Sequence, residues 1–333
     1  MSTPEQKNAD STMWTSLLHS GLASSFLRLP HVSPDAEQLT AVGAGAAIYG
    51  IPWDSTVISR SGANYGPRGI REASLQALSY NATLDMDLVD ALNPVDCGDA
   101  ATTLANAEKT FGSAQHDIGN ILAAGALPVT LGGDHSVTIP AVRAVAERHT
   151  NPSLVLIDAH LDTATDVGGE TLNHCCPITR AVEAGFPPQN IAIIGATGWL
   201  NPRSELEYCR RNGIEIVWLE DILENGLERA LDRVLHTVSR GTDGLYLSVD
   251  IDALDALDGA YAPGTGVPGT GGMTTRELLT IVRRVSSRGL VGMDLVEVAP
   301  TLDPTNTTTT TAVRILLDAL AFHTRSASRS PHT

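Results

Sequence analysis

An apolar run, Leu154-Val155-Leu156-Ile157, breaks directly into Asp158, His160 and Asp162, three polar side chains spaced by two residues. No other stretch restricts the fold as much. A short, wholly apolar run with β-branched members reads as a strand buried on both faces, the habit of parallel sheets covered by helices. If the chain continues extended, Asp158, His160 and Asp162 leave one face at the strand's carboxyl end. That edge is where open α/β sheets hold their ligands. Two carboxylates and an imidazole make a mixed oxygen and nitrogen donor set. It suits Mn²⁺, Zn²⁺, Ni²⁺ or Fe²⁺ better than Ca²⁺ or a thiolate-seeking metal.

The pattern returns downstream, where Leu245-Tyr246-Leu247-Ser248-Val249 leads into Asp250 and Asp252. Carboxylates crowded at one sheet edge repel one another and need cations. Five donors from two strand ends can therefore serve two metal ions that share bridging carboxylates. A further apolar run, Leu127–Leu131, enters Gly132-Gly133-Asp134-His135-Ser136. The glycines permit a tight turn, which leaves His135 projecting at the same edge as another donor.

Around these runs, strands are expected over 46–51, 96–99, 191–194, 214–219 and 290–295. Helices are expected over 68–78, 111–124, 178–184, 223–238, 274–285 and 312–322, with Thr274 and Glu277 spelling a capping box. Such alternation predicts an α/β protein with a single three-layer domain and a mainly parallel sheet of about eight strands. The expected organisation is an N-terminal arm over 1–40, a catalytic domain over 41–324 and a frayed end over 325–333. The arm carries one short amphipathic piece at 14–29.

Composition narrows the partners. The formal charge of −16 argues against nucleic acid and anionic membrane and suits a small cationic substrate. Only two lysines occur, Lys7 and Lys109, both remote from the donor-rich stretches, which excludes Schiff-base and P-loop chemistry there. Cys97, Cys175, Cys176 and Cys209 show no C-x-x-C spacing and no disulfide framework. With no signal-peptide layout and no apolar run of about 18 residues, a cytoplasmic protein is expected. Gly264-Thr265-Gly266-Val267-Pro268-Gly269 spells G-x-G-x-x-G, but no strand leads into it and no helix opens from it, so it is no dinucleotide site. The serine-hydrolase elbow and the H-E-x-x-H zinc spelling are absent.

Taken together, Gly132-Gly133-Asp134-His135-Ser136, Asp158-Ala159-His160-Leu161-Asp162 and Ser248-Val249-Asp250-Ile251-Asp252-Ala253-Leu254-Asp255 resemble the signatures of the ureohydrolases. That family includes arginase, agmatinase and guanidinobutyrase. The likeness keeps the family's order over about 50–321, and the loops at Gly66-Pro67-Arg68 and Ala262-Pro263-Gly264-Thr265-Gly266 are similar to the agmatinase and guanidinobutyrase branch. The resemblance implies an arginase-like fold and a hydrolase of linear amidines with two divalent metal ions per chain, Mn²⁺ or alternatively Ni²⁺. It implies that His135 and Asp162 hold one ion, His160 and Asp252 the other, and that Asp158 and Asp250 bridge. A metal-bridging hydroxide, aimed by Asp162, would attack the guanidino carbon. His174 would carry protons, and Glu297 would bind the guanidinium beside it. Asp134 is either a support of the site or a turn carboxylate.

The implied substrate is agmatine or 4-guanidinobutyrate, releasing urea. Guanidine, an alkylated guanidine or a biguanide such as metformin is the alternative, with nickel as the metal, and a non-catalytic subunit of a related enzyme is another. The family also implies a homo-oligomer, trimeric or hexameric, or a hetero-oligomer with a related chain. Three loops depart from the branch: Cys175-Cys176 follow His174, Thr197 stands where Arg is common, and Pro268-Gly269-Thr270-Gly271-Gly272 lacks a carboxylate. These departures leave the donors intact and alter the expected entrance.

Overall fold

A computed structural model of the protein describes residues 25–327. Its strands in chain order are β1 (Ala46–Gly50), β2 (Tyr80–Asn81), β3 (Met86–Asp87), β4 (Pro94–Asp99), β5 (Leu127–Leu131), β6 (Pro152–Ile157), β7 (Ile191–Ile194), β8 (Glu215–Val217), β9 (Gly244–Asp250) and β10 (Gly292–Val296). Eight of them form one sheet in the order β4-β1-β5-β10-β9-β6-β7-β8, while β2 and β3 make a separate antiparallel hairpin. Every pairing in the large sheet is parallel.

Burial explains the apolar runs. All of β5 and β6 is buried, because helices cover both faces. Alternation along each strand then splits the core in two. Val155, Ile157, Leu247, Val249 and Leu295 pack to one side with residues of helices Leu227–Val238, Thr275–Ser286 and Thr307–Ala327. Leu154, Leu156, Ile193 and Tyr246 pack to the other with residues of Ala107–Ala123, Thr138–Ala146 and Pro177–Ala184. The result is a single three-layer α/β domain. Among the described residues no helix is long and apolar enough to cross a membrane.

Local chemistry sets the boundaries. Helix Thr275–Ser286 starts at the expected capping box, with Thr274 and Glu277 each satisfying the other's backbone N–H. The helix expected over 223–238 is instead two, Leu219–Asn225 and Leu227–Val238, broken where Gly226 takes φ +86°. Glycine reaches that backbone region without a Cβ penalty. Helix Ala107–Ala123 starts earlier than expected because Asn106 caps it through the Lys109 N–H. The amphipathic piece expected at 14–29 lies mostly outside the described residues; from Ser25 the chain makes a short turn, Phe26–Arg28. Phe26 is fully buried and its N–H donates to Asp96 Oδ2 at 2.7 Å, so this part of the expected arm is laid against β4. Helix Thr307–Ala327 runs past Arg325, where fraying was expected, and its last turns pack on the 290 loop.

That last contact gives a pH-sensitive element. The Leu290 N–H donates to His323 Nδ1 at 2.9 Å, and burial holds the imidazole below its ordinary 6.5. The unfolded chain therefore binds more protons than the folded one just below 6.5, and stability falls as pH drops through that window. His323→Gln is expected to flatten the dependence of melting temperature on pH between about 5 and 7. Parallel curves for variant and parent would refute it.

Candidate active site

Strands β5, β10, β9 and β6 are consecutive in the sheet, and their carboxyl ends carry the candidate residues. His135 follows β5, Glu297 follows β10, Asp250 ends β9 with Asp252 in the turn just after it, and Asp158, His160 and Asp162 follow β6. The chain does not stay extended there, as the spacing alone predicts. Asp158 accepts the His160 N–H at 2.6 Å and Asp250 accepts the Asp252 N–H at 2.8 Å. Each strand thus curls into a tight turn on its own carboxylate. Asp162 sits at φ +49° and Glu297 at φ +60°, left-handed conformations that non-glycine residues adopt at a cost and that gather at functional sites. Turns, rather than strand alternation, aim these side chains inward.

The donors converge. His135 Nδ1 lies 2.7 Å from Asp162 Oδ2 and 3.2 Å from both Asp158 Oδ2 and Asp250 Oδ2. His160 Nδ1 lies 3.2 Å from Asp158 Oδ1 and from Asp252 Oδ2. Two donor triads result, His135-Asp158-Asp250 and Asp158-His160-Asp252, and Asp158 belongs to both. Although close to carboxylates, His135 Nδ1 makes no hydrogen bond, and buried Asp158 Oδ2, Asp252 Oδ1 and Glu297 Oε2 likewise lack one. Buried polar atoms are rarely left so. Acceptors pointing at one another fit a cation between them.

The tautomer of His135 follows from its far side. Nε2 faces Ser248 Oγ at 3.1 Å, and Ser248 Oγ donates to Asp294 Oδ1 at 2.6 Å. The ring's proton therefore sits on Nε2, leaving the Nδ1 lone pair toward the carboxylates. Asp294 is itself held by Tyr246 at 2.7 Å and Thr138 at 2.8 Å. Sequence reasoning missed Ser248 and Asp294 as orienting groups. The available signal was a polar residue inside a strand buried on both faces.

Charge in the cluster is unbalanced. Burial, then Asp252 and Asp158, push the Asp250 carboxyl well above its ordinary range, and burial raises Asp252 to about 6. Burial and Asp158 raise Asp162 as well. Only Asp158 goes down, because His135 and His160 outweigh its burial. Two imidazoles cannot neutralise four carboxylates, which is a second reason for added positive charge here.

A loop closes over this edge. Asp134 caps the turn His135–Val137 through the Ser136 N–H at 3.1 Å and accepts the Thr56 hydroxyl at 2.8 Å. It fastens the loop, and its hydrogen bonds go to Thr56 and Ser136 rather than to the His135 ring. Gly133 passes so close beneath that a Cβ would overlap the Trp53 carbonyl. The Ile58 N–H donates to His174 Nε2 at 3.2 Å, and His174 Nδ1 meets Glu297 Oε1 at 3.1 Å. Those two contacts describe a neutral ring with its proton on Nδ1. Burial opposes charging of His174, but the Cys175 thiol and Glu297 outweigh it and raise the ring to about 11. A second proton at Nε2 must displace the Ile58 N–H. Glu297 Oε1 also accepts the His135 N–H at 2.9 Å, leaving Oε2 free.

These groups face a cavity of about 190 Å³, shared by His160, Asp162, His174, Asp250, Asp252 and Glu297. Its remaining wall is mainly apolar, with Ile58, Leu200, Pro202 and Val267, plus Cys175, Asn201 and Glu205. Of the departures noted above, Cys175 lines the cavity. Thr197 and the 268–272 loop do not; their neighbours Leu200 and Val267 do. Asn201 splints that wall to the β6 turn, accepting the Leu161 N–H at 2.7 Å and donating to the Ala159 carbonyl at 3.1 Å. A larger cavity of about 400 Å³, beside the β2–β3 hairpin, holds none of the candidate residues.

An all-parallel sheet whose central strand ends converge two imidazoles and four carboxylates defines an arginase-type α/β protein. The Arginase family model matches residues 44–321. The guanidinobutyrase of Pseudomonas aeruginosa is 36% identical over 301 residues, 90% of this chain and 92% of that one. The agmatinase of Bacillus subtilis is 36% identical, covering 83% of this chain and 91% of its own. In structure, the proclavaminate amidinohydrolase of Streptomyces clavuligerus superposes with a TM-score of 0.81 at 32% identity, over 91% of this chain and 97% of that one. The chain belongs to the arginase family, and it is a ureohydrolase, a hydrolase of linear amidines.

Proposed function

We propose that this chain is a binuclear-metal amidinohydrolase that cleaves a guanidino C–N bond and releases urea. The observation that carries the reading is the pair of donor triads sharing Asp158, with their unpartnered buried atoms, beside the free Oε2 of Glu297. His135 and Asp162 would hold one ion, His160 and Asp252 the other, and Asp158 and Asp250 both. The nitrogen and carboxylate donors suit Mn²⁺, with Ni²⁺ as the alternative. When bound, such an ion pair supplies a water that is deprotonated near neutral pH.

The chain's own residues do the rest. Glu297 Oε2 receives the planar guanidinium through charge-assisted hydrogen bonds. Asp162 accepts a hydrogen bond from the attacking water and orients it. The guanidino carbon gains that oxygen, its bond to the tail nitrogen breaks, and the amine leaves with a proton. His174, hydrogen-bonded to Glu297, is the proton donor within reach of this corner. Apolar Leu200, Pro202 and Val267 hold the alkyl tail and exclude water.

The reference substrates are agmatine and 4-guanidinobutyrate. A specific feature supports a second reading, hydrolysis of guanidine, alkylated guanidines or biguanides: the cavity is small, and neither Lys nor Arg is among its lining residues. A guanidino acid would find no cation there for its carboxylate. The test is an assay of protein reconstituted separately with Mn²⁺ and Ni²⁺ against agmatine, 4-guanidinobutyrate, arginine, guanidine, dimethylguanidine and metformin. Urea, guanylurea and amine are quantified. Turnover of at least one guanidino compound is expected, and none with two ions bound per chain would overturn the proposal.

A further inference from the structure

The loop that closes over the site runs from Trp53 to Gly62, and its two ends are held by different means. At the near end Thr56 gives its N–H and its hydroxyl to Asp134 Oδ2, at 3.2 and 2.8 Å, and its carbonyl accepts Asn173 Nδ2 at 3.0 Å. At the far end Arg60 donates through Nη2 to the Thr265 carbonyl at 2.6 Å and through Nε to the Gly266 carbonyl at 3.4 Å. The chemistry above leaves Arg60 unused. Packing around its clamp is tight: a Cβ on Gly266 would lie 2.9 Å from the Arg60 carbonyl and 3.4 Å from Glu297 Oε2. Between the two anchors sits Ile58, 63% exposed, whose N–H nevertheless donates to His174 Nε2 at 3.2 Å. With Glu297 Oε1 3.1 Å from Nδ1, the His174 ring is gripped at both nitrogens. A backbone N–H only donates, so it keeps Nε2 bare and the ring's proton on Nδ1, facing Glu297. An exposed loop residue with few packing contacts does not hold such a bond alone. Its anchors must.

Resting on the amidinohydrolase reading, we infer that Arg60 is a positioning residue for the proton donor. By clamping the loop to the Thr265–Gly266 edge it holds the Ile58 N–H on His174 Nε2, and so fixes both the tautomer and the orientation of the ring. Arginine suits the task because its planar fork reaches two carbonyls at once. Without the clamp the ring is free to turn about its Cβ–Cγ bond, or to take a second proton at Nε2 that the neighbouring carboxylate favours. The Nδ1 proton then no longer points at the guanidinium corner. Misplacing a reacting group by about 1 Å costs up to about 100-fold in rate.

The test follows the His174 ring by nitrogen magnetic resonance in protein loaded with diamagnetic Zn²⁺, the signal being assigned by its absence in His174→Gln. The parent is expected to show an unprotonated Nε2 and a slowly exchanging Ile58 amide. Arg60→Ala is expected to place a proton on Nε2 in part or all of the population and to speed exchange of the Ile58 amide about tenfold or more. Arg60→Lys keeps one donor and should lie between. Ile58→Ala keeps the N–H and removes only the apolar side chain, so its ring should stay as in the parent. In Mn²⁺-loaded enzyme, kcat of Arg60→Ala should fall about 10- to 100-fold, more than KM changes, with metal content unaltered.

An unchanged ring in Arg60→Ala overturns the inference, and so does undiminished kcat in a variant whose ring has shifted. A parent whose Nε2 already carries a proton overturns it too, as does an equal shift in Ile58→Ala, which would give the hold to the side chain. The ring and amide signals need no substrate, and they separate the two claims. The expected shifts in a protein that hydrolyses no guanidino compound sustain the hold of Arg60 on His174 and sink the hydrolase reading. Turnover by the parent with an unshifted ring in Arg60→Ala does the reverse.

Discussion

Asp158→Asn is expected to empty both metal positions and leave no measurable turnover. Asp158 is the one residue common to both donor triads, fully buried, with Oδ2 free of any hydrogen bond. Asparagine keeps the acceptor for the His160 N–H, so the turn after β6 should survive. What disappears is the charge that both ions would share. Removing an outer partner of a metal ligand typically costs about 10- to 100-fold in affinity; loss of a shared ligand should exceed that. Metal analysis after gel filtration reads the result directly. Melting temperature supplies the control, because metal stabilises the parent by mass action and should cease to stabilise the variant. A variant that retains two ions and turns over would refute the arrangement.

Glu297→Gln should separate metal binding from substrate binding. Glu297 is in neither triad. Glutamine's amide oxygen can still accept the His135 N–H that Oε1 accepts, but it carries no charge for a guanidinium. A lone buried charge pair disrupted on one side costs a few kcal/mol, roughly 100-fold or more. The expected result is therefore two ions still bound and kcat/KM down by at least about 100-fold. The His174 ring adds a signature: without the carboxylate next to Nδ1, its titration should move down. Nuclear magnetic resonance of the ring can follow that shift, and an unmoved titration would mean Glu297 does not set it.

The candidate site was legible because its residues stand where apolar runs stop. His135, Asp158 and Glu297 follow strands buried along their length, and Asp250 ends one buried from Leu245 onward, so the break from apolar to polar spells a strand's carboxyl end. Their convergence was less legible. Asp158 and Asp250 bend the chain through their own side chains, and Asp162 and Glu297 take left-handed backbone, neither of which a spacing of two conveys. Helices without a polar and an apolar face were also invisible. Thr138–Ala146 is buried almost all round, and Arg203–Asn212 buries only Glu205 and Cys209. Glu205, which lines the cavity, went unread for that reason.

The strand order has a consequence for how the chain is made. β10 is last in sequence, yet it lies between β5 and β9 in the middle of the sheet. Until it emerges from the ribosome, β5 and β9 each present an unpaired edge, and the chain holds two half-sheets with no common centre. Open edges of this kind recruit other chains. His135 and Asp250 cannot meet before that gap is filled, since their strands are separated by β10. Nascent protein is thus both inert and most prone to aggregate until its final strand is inserted, and productive synthesis depends on protecting those edges through the last stretch of translation.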